Sequence, residues 1–205
     1  MKLSNSEKLI LTMLAEIQEK LGIQNGTDTK LLTSAIYSNN TWALSLEIPG
    51  IVGGSPDPTP PAVSEVAEIL DMWSFLEEAD VKFGPAEKAR VKSEADPFGS
   101  HIHFGGFDGN NEAELMGIAR FFVEDMGRFP RFKGRDMNSH HPSIATYRRM
   151  LAVFEPIRSS LDGHGLSVEQ VVEILKAKRH TAVANPSIEG MPKRLRLLCT
   201  PHVKR

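Results

Sequence analysis

The chain has 205 residues but only one cysteine, Cys199, and no long run of apolar side chains. A single cysteine excludes an internal disulfide, which is typical of proteins in a reducing compartment. No apolar run approaches the roughly 18 residues that a membrane-spanning helix needs, and the first residues lack the pattern of a secretory signal. We therefore expect a cytoplasmic protein with no membrane partner.

The sequence also lacks the usual arrangements of catalytic residues. It contains no nucleophile elbow, no Ser, His and Asp in a triad order, and no context that would activate Cys199. The glycine-rich turn at 105–109 is followed by Glu112 and Glu114, whose charge opposes a bound phosphate. We therefore expect binding rather than catalysis, and no cofactor.

Amphipathic helical patterns, in contrast, run through most of the chain. Ser4 with Glu7 and Ser167 with Gln170 have the spacing of capping boxes, which open helices. The first helix carries an apolar stripe of Leu9 or Ile10, Met13 or Leu14, Ile17 and Leu21. The sequence predicts an all-α, multihelical fold, with amphipathic helices in one or two packed bundles and at most a short extended segment near 101–104.

Charge is distributed unevenly along the chain. Residues 1–175 contain 16 basic and 25 acidic residues, whereas residues 176–205 contain eight basic residues and one acidic residue. A basic tail on an acidic body is one pattern that binds nucleic acid or another acidic partner. The candidate contacts are Lys176, Lys178, Arg179, Lys193, Arg194, Arg196, Lys204 and Arg205.

Histidines and acidic residues suggest one metal site. His101 and His103 alternate with apolar residues, so in an extended segment they lie on the same face. Asp136, His140 and His141 are the main candidates to complete a ligand set, and they follow in a polar loop. The alternative is that both histidines face water while Ile102 and Phe104 pack inward. This second interpretation is the simpler one, and we therefore expect no metal.

Several motifs together resemble the YfbU family. They are LSNSEKLILTML near the start, GFDGNNEAELMGIARFFVEDMGRFPRF in the centre, and YRRMLAVFEPI with LSVEQVVEILKA later. The matching positions are Gly106, Phe107, Asp108, Glu114, Arg120, Phe121, Gly127, Arg128, Phe129, Tyr147 and Arg149. The resemblance implies a small bacterial protein with a multihelical fold that self-associates, without an established activity or cofactor. His101, His103 and the basic tail lie outside the pattern.

The resemblance also guides the division of the chain. We expect a YfbU-like helical domain over 1–178, with a division into sub-bundles 1–80 and 104–178 as one alternative. A basic, proline-containing tail follows at 179–205. Within the pattern, we expect Asp108 to cap a helix, and Arg120 and Arg128 to join helices through ion pairs.

Three functions remain open from the sequence. The first is a non-enzymatic, homo-oligomeric binding or regulatory module, a dimer or larger, with a protein partner. The second is binding of nucleic acid or an acidic partner through residues 176–205. The third is a metal-dependent hydrolase that uses His101 and His103 with Asp136, His140 and His141. We favour the first because the chain consists of packing stripes and caps.

Overall fold

The computed structural model describes residues 3–23, 26–48, 59–161 and 163–179. Within these ranges the chain forms eight α-helices and no β-strand, which confirms the prediction of an all-α, multihelical fold. The helices are α1 (Asn5–Lys20), α2 (Thr29–Tyr37), α3 (Trp42–Glu47), α4 (Pro61–Lys82), α5 (Pro85–Glu94), α6 (Ala113–Arg120), α7 (Ile144–Arg158) and α8 (Val168–Lys176).

Two helices begin where their capping boxes predicted. The Ser4 hydroxyl accepts a hydrogen bond from the Glu7 N–H at 3.3 Å, and the Glu7 carboxylate accepts one from the Ser4 N–H at 2.7 Å. Ser167 and Gln170 make the same reciprocal pair at the start of α8. These caps satisfy N–H groups that have no partner inside the helix, so the sequence locates both helix starts.

The helix type changes at the end of α6. The α-helix α6 ends at Arg120, and a π-helix at Phe121–Asp125 continues the chain, with the Met126 N–H donating to the Phe121 carbonyl at 3.0 Å. The side chains at 121–123 within this π-helix are all buried. Gly127 follows with φ +63°, a left-handed conformation that suits a helix end.

The segment predicted to be extended forms no strand. His101 and His103 are exposed, while Phe104 is buried and Ile102 packs against the core. The inward packing of the two apolar residues, which was the simpler interpretation, is therefore confirmed. The chain makes one isolated bridge just beyond this segment, between Phe107 and Asn138.

The main core is centred on aromatic rings contributed by distant parts of the chain. Trp73 of α4 meets Tyr147 of α7 with ring centroids 5.8 Å apart, and Phe104 lies 5.2 Å from Phe132. Phe107 contacts both Phe104 and Tyr147 at 5.7 Å. Edge-on and tilted ring pairs of this kind add to the free energy gained from burial. The loop between α5 and α6 is thereby fastened to α4 and α7.

A second, smaller cluster lies at the N-terminal side. Ala35, Ala43 and Leu44 are buried with Phe121, and Trp42 packs against both clusters. The Arg128 guanidinium donates to the Glu47 carboxylate at 2.7 Å, which connects the end of α3 to the segment after the π-helix. These contacts attach α2 and α3 to the main core. The division into sub-bundles 1–80 and 104–178 stays a prediction.

One buried carboxylate joins the glycine-rich turn to the start of α7. Glu112 accepts hydrogen bonds from the Ser143 and Ile144 N–H groups, both at 2.8 Å, through one oxygen. Its other oxygen accepts from the Ser143 hydroxyl at 2.7 Å and from the Asp108 N–H at 3.0 Å. Glu112 thus caps α7 from another segment, whereas α6 begins without a side-chain cap.

We predict that Glu112→Gln destabilises the fold at neutral pH. Glutamine replaces an acceptor oxygen with a donor group, so at least one of the four donors is left unpaired, at a cost of about 2 kcal/mol. Burial raises the pKa of Glu112, but the hydrogen bonds outweigh this effect and hold its pKa below the ordinary 4.5. A depressed folded-state pKa stabilises the fold above the unfolded-state value, and this contribution is lost as the pH falls through the folded-state pKa.

Urea denaturation of the wild type and of Glu112→Gln, from neutral to acid pH, measures the difference in their free energies of unfolding. The difference should be largest at neutral pH and should shrink below the ordinary glutamate pKa of 4.5. Glu114→Gln is the matched control, since Glu114 is exposed on α6 and should have little effect. Equal stability of wild type and Glu112→Gln at neutral pH would contradict the assignment.

Candidate interaction surface

His103 lies beside an ion pair. The Arg135 guanidinium binds Glu77 through two nitrogens, each 2.8 Å from a carboxylate oxygen, and Glu77 also accepts from the Phe104 N–H at 2.8 Å. The His103 Nδ1 lies 3.2 Å from the Arg135 Nη1 and 3.7 Å from the Glu77 Oε1. Arg135 also covers the Phe132 ring, 5.2 Å from its centroid. The positive charge of the Arg135 guanidinium would repel a metal ion bound to the same nitrogen of His103.

The other candidate metal ligands lie in a separate group of contacts. His140 approaches Asp136 with 4.0 Å between Nε2 and Oδ2, and both side chains are largely exposed. His101 and His141 are exposed as well. In the part of the chain that the structure describes, no group of three or more His, Cys, Asp or Glu side chains lies close enough to hold a metal. The structure therefore pairs Asp136 with His140 and places His103 with Glu77 and Arg135.

Asp108 stabilises a turn and does not cap a helix. Its carboxylate accepts from the Asn110 N–H at 3.0 Å and from the Asn111 amide. These hydrogen bonds, the one to Asn111 first, lower the pKa of Asp108. Gly106 has φ +85°, and a Cβ there would lie 2.2 Å from the Met137 carbonyl oxygen, so only glycine fits. The Gly106 carbonyl in turn accepts from the Tyr147 hydroxyl at 2.9 Å.

The other positions that match the YfbU pattern have different environments: some are buried, one forms an ion pair, and some are exposed. Phe107 and Phe121 are buried, and Phe129 contacts Phe122 with ring centroids 5.9 Å apart. Arg128 forms the expected ion pair, with Glu47. Arg120 and Glu114 are exposed and make no ion pair with any described residue, so the expectation that Arg120 joins helices is wrong within that part. Most of these positions therefore hold together the packed helices and the glycine-rich turn, which we call the frame of the domain.

Three of the eight basic candidates lie within the described residues. Lys176 is exposed, and the Arg179 guanidinium donates to the Asp96 carbonyl. Lys178 turns inward, with its Nζ 4.6 Å from the centroid of the Trp73 ring and 5.8 Å from that of Phe98. Burial lowers the pKa of Lys178 from 10.5 to about 8. The other five candidates, Lys193, Arg194, Arg196, Lys204 and Arg205, lie outside the described residues.

We predict that Lys178→Met removes a pH-dependent part of the stability. Between pH 8 and pH 10.5 the unfolded chain retains a proton on Lys178 that the folded chain has lost. Stability rises with pH wherever the unfolded state holds more protons, so the wild type should gain stability relative to the variant across this window. Urea denaturation at several pH values measures the gain. Lys176→Met is the control, and a Lys178→Met curve parallel to wild type would contradict the assignment.

The helix α1 presents its apolar side to solvent. Five large apolar side chains of α1 and that of its C-cap residue are each between 51% and 68% exposed: Leu9, Ile10, Met13, Leu14, Ile17 and Leu21. The opposite side of α1 packs against α2 through the buried Ala15. Polar groups accompany that contact, with Thr29 donating to Glu19 at 2.9 Å and the Gln18 amide to the Thr27 carbonyl at 2.9 Å.

This orientation is unusual for an amphipathic helix. Such a helix normally buries its apolar stripe and exposes its polar side. Monomeric soluble proteins rarely leave contiguous apolar patches of several hundred Å² uncovered, and larger ones mark sites of interaction. We name the side chains at 9, 10, 13, 14, 17 and 21 the α1 apolar face.

Comparison with models of protein families identifies the family of this chain. The model of the YfbU domain matches residues 1–177. The chain belongs to the YfbU family. The match includes all eight described helices, and therefore both the frame and the α1 apolar face, whereas the basic tail follows it. The resemblance found in the motifs is thus confirmed.

A curated relative agrees with the family assignment. The chain is similar to the UPF0304 protein MJECS11 of Methanocaldococcus jannaschii, with 29% identity over 119 residues. The aligned region covers 56% of this chain and 68% of the relative. Among the described helices of this YfbU domain, none is both long and apolar enough to cross a membrane.

The sequence analysis did not identify two buried carboxylates, Glu77 and Glu112, that hold distant segments of the domain together. Glu77 lies on α4, 58 positions before its partner Arg135, and Glu112 lies 31 positions before Ser143. Neither pairing has a local spacing that would indicate it. The α1 apolar face was visible as a stripe, but its exposure was not.

Proposed function

We propose that this YfbU-family protein is a non-enzymatic, cytoplasmic, homo-oligomeric binding module. The observation that carries the proposal is the α1 apolar face. Six large apolar side chains, each roughly half exposed, occupy one side of α1 and its C-cap. Burying the roughly 100 Å² that each leaves exposed contributes about 2.5 kcal/mol at ~25 cal/mol per Å² of apolar surface. Together they favour association strongly enough to offset much of its entropic cost.

The polar groups of the domain support binding in preference to catalysis. A catalytic carboxylate has to contact a substrate, and its oxygens must be free to do so. The buried Glu77 already accepts from Arg135 and a backbone N–H, and Glu112 accepts four hydrogen bonds. These carboxylates stabilise the frame of the domain. The exposed apolar face is the feature that the frame leaves without a described partner.

The two alternative functions stay predictions. Binding of nucleic acid or an acidic partner depends mainly on basic residues outside the described part of the chain, and Lys178 contacts aromatic rings of the core. In a metal-dependent hydrolase, the His103 side chain would have to move away from Arg135, which lies 3.2 Å from it, and bind the same metal ion as Asp136 and His140. The α1 apolar face favours the first proposal over both.

The mass of the full-length protein in solution tests the proposal. Light scattering on a size-exclusion column, at several loading concentrations, should give a multiple of the chain mass of 22.7 kDa. The multiple should fall on dilution, since association is a mass-action equilibrium. A mass of one chain at every concentration, up to tens of micromolar, would contradict self-association.

A further inference from the structure

The α1 apolar face has the spacing of a helix-pairing seam. Ile10, Leu14, Ile17 and Leu21 follow one another at intervals of four, three and four residues, which is the a/d pattern of a coiled coil. Leu9 and Met13 widen the seam on one side. The helix Asn5–Lys20 spans roughly 24 Å at 1.5 Å per residue, which is long enough for several interlocking layers. The seam points away from Ala15, and therefore away from α2.

We propose that α1 packs antiparallel against α1 of a second copy of this chain, about a two-fold axis. This inference rests on the proposed self-association and identifies the surface that mediates it. A two-fold contact uses the same patch on both copies, so a face that is apolar along its whole length complements itself. With α2 behind each α1, the two hairpins form a bundle of four helices.

The area of the face suits a dimer. Each half-exposed side chain offers on the order of 100 Å² of accessible surface, so six offer roughly 600 Å² per copy. The pair would bury roughly 1,200 Å², which lies at the lower end of specific protein–protein interfaces. Contacts from flanking residues would add to it. A dimer of micromolar rather than picomolar affinity is the expectation for such an area.

The register follows from which layers are apolar. In antiparallel pairing an a position meets a d position, and Glu7 occupies an a position one heptad before Leu14. The register that keeps Glu7 out of the layers places Ile10 against Leu21 of the partner subunit, and Leu14 against Ile17 of the partner subunit. All four layers are then apolar. The antiparallel direction also opposes the two helix dipoles.

The chain's own tail fits the face less well than a second copy does. The YfbU match ends at residue 177, so the face belongs to the family domain and the tail follows that domain. Residues 180–205 carry five Lys and Arg residues, whereas the six side chains of the α1 apolar face are all uncharged. The segment 49–58 supplies only two large apolar residues, Ile51 and Val52, against six on the face.

Single charge substitutions in the seam locate the contact. Leu14→Glu and Ile17→Glu, in the full chain, should each convert the oligomer to the single-chain mass of 22.7 kDa. Val81→Glu is the matched control, because Val81 is 72% exposed and lies on α4. Circular dichroism verifies that each variant is helical. A wild-type monomer would overturn the proposed function, whereas an oligomer that survives both seam variants would leave that function standing and overturn this inference.

Disulfide trapping tests the direction of the pair. In a Cys199→Ser background, Ile10→Cys and Leu21→Cys variants are prepared separately, mixed and oxidised. Antiparallel pairing brings Ile10 to Leu21 of the partner subunit, so the mixed disulfide should form in preference to either self-linked product. The two positions are roughly 16 Å apart along one helix, so parallel pairing would give only the self-linked products. Those products would overturn the antiparallel arrangement.

Two further outcomes identify other occupants. If removal of residues 180–205 converts a wild-type monomer into a dimer, the tail covers the face and the inference is wrong. If the wild type oligomerises but no cysteine on α1 forms a disulfide, the copies meet elsewhere and the inference is also wrong.

Discussion

The carboxylate of Glu112 is the interaction on which the arrangement of this domain depends most. It accepts two N–H groups at the start of α7, a serine hydroxyl, and the N–H of Asp108 in the glycine-rich turn. The turn and α7 are thereby fixed to each other, and Tyr147 reaches the Gly106 carbonyl in the same place. The aromatic centre around Trp73 and Phe104 can pack only when these segments are in register. Hydrogen bonding thus positions the core.

The N-terminal hairpin is held in a different way. It is attached to this frame through a small apolar cluster at Leu44 and Phe121, and through Arg128 with Glu47. Polar and small side chains of α1 face α2, and the larger apolar ones face solvent. Among the described residues, no element covers the apolar side of α1. The proposed self-association rests on this surface.

Local sequence signals predicted much of this fold, and the reason is visible at particular residues. Ser4 with Glu7, and Ser167 with Gln170, act within one turn, so their spacing located two helix starts. Glu112 pairs with Ser143 and Glu77 with Arg135 across long stretches of chain, and no spacing indicates such pairs. Asp108 is a residue type that often caps helices, yet here it holds the turn before α6, and the side-chain cap found in this region is Glu112, which caps α7. The stripe of α1 was equally readable, but whether a stripe is covered depends on what lies opposite it.

Hydrogen exchange of the full chain at low and high protein concentration tests the central claim most directly. Among the described residues α1 packs chiefly against α2, so association through the α1 apolar face should slow the exchange of the α1 amides. We predict that protection in Asn5–Lys20 rises with concentration, while the exposed helix Pro85–Glu94 is unchanged. If the protein associates but α1 exchanges at the same rate at every concentration, the account of the α1 apolar face is contradicted.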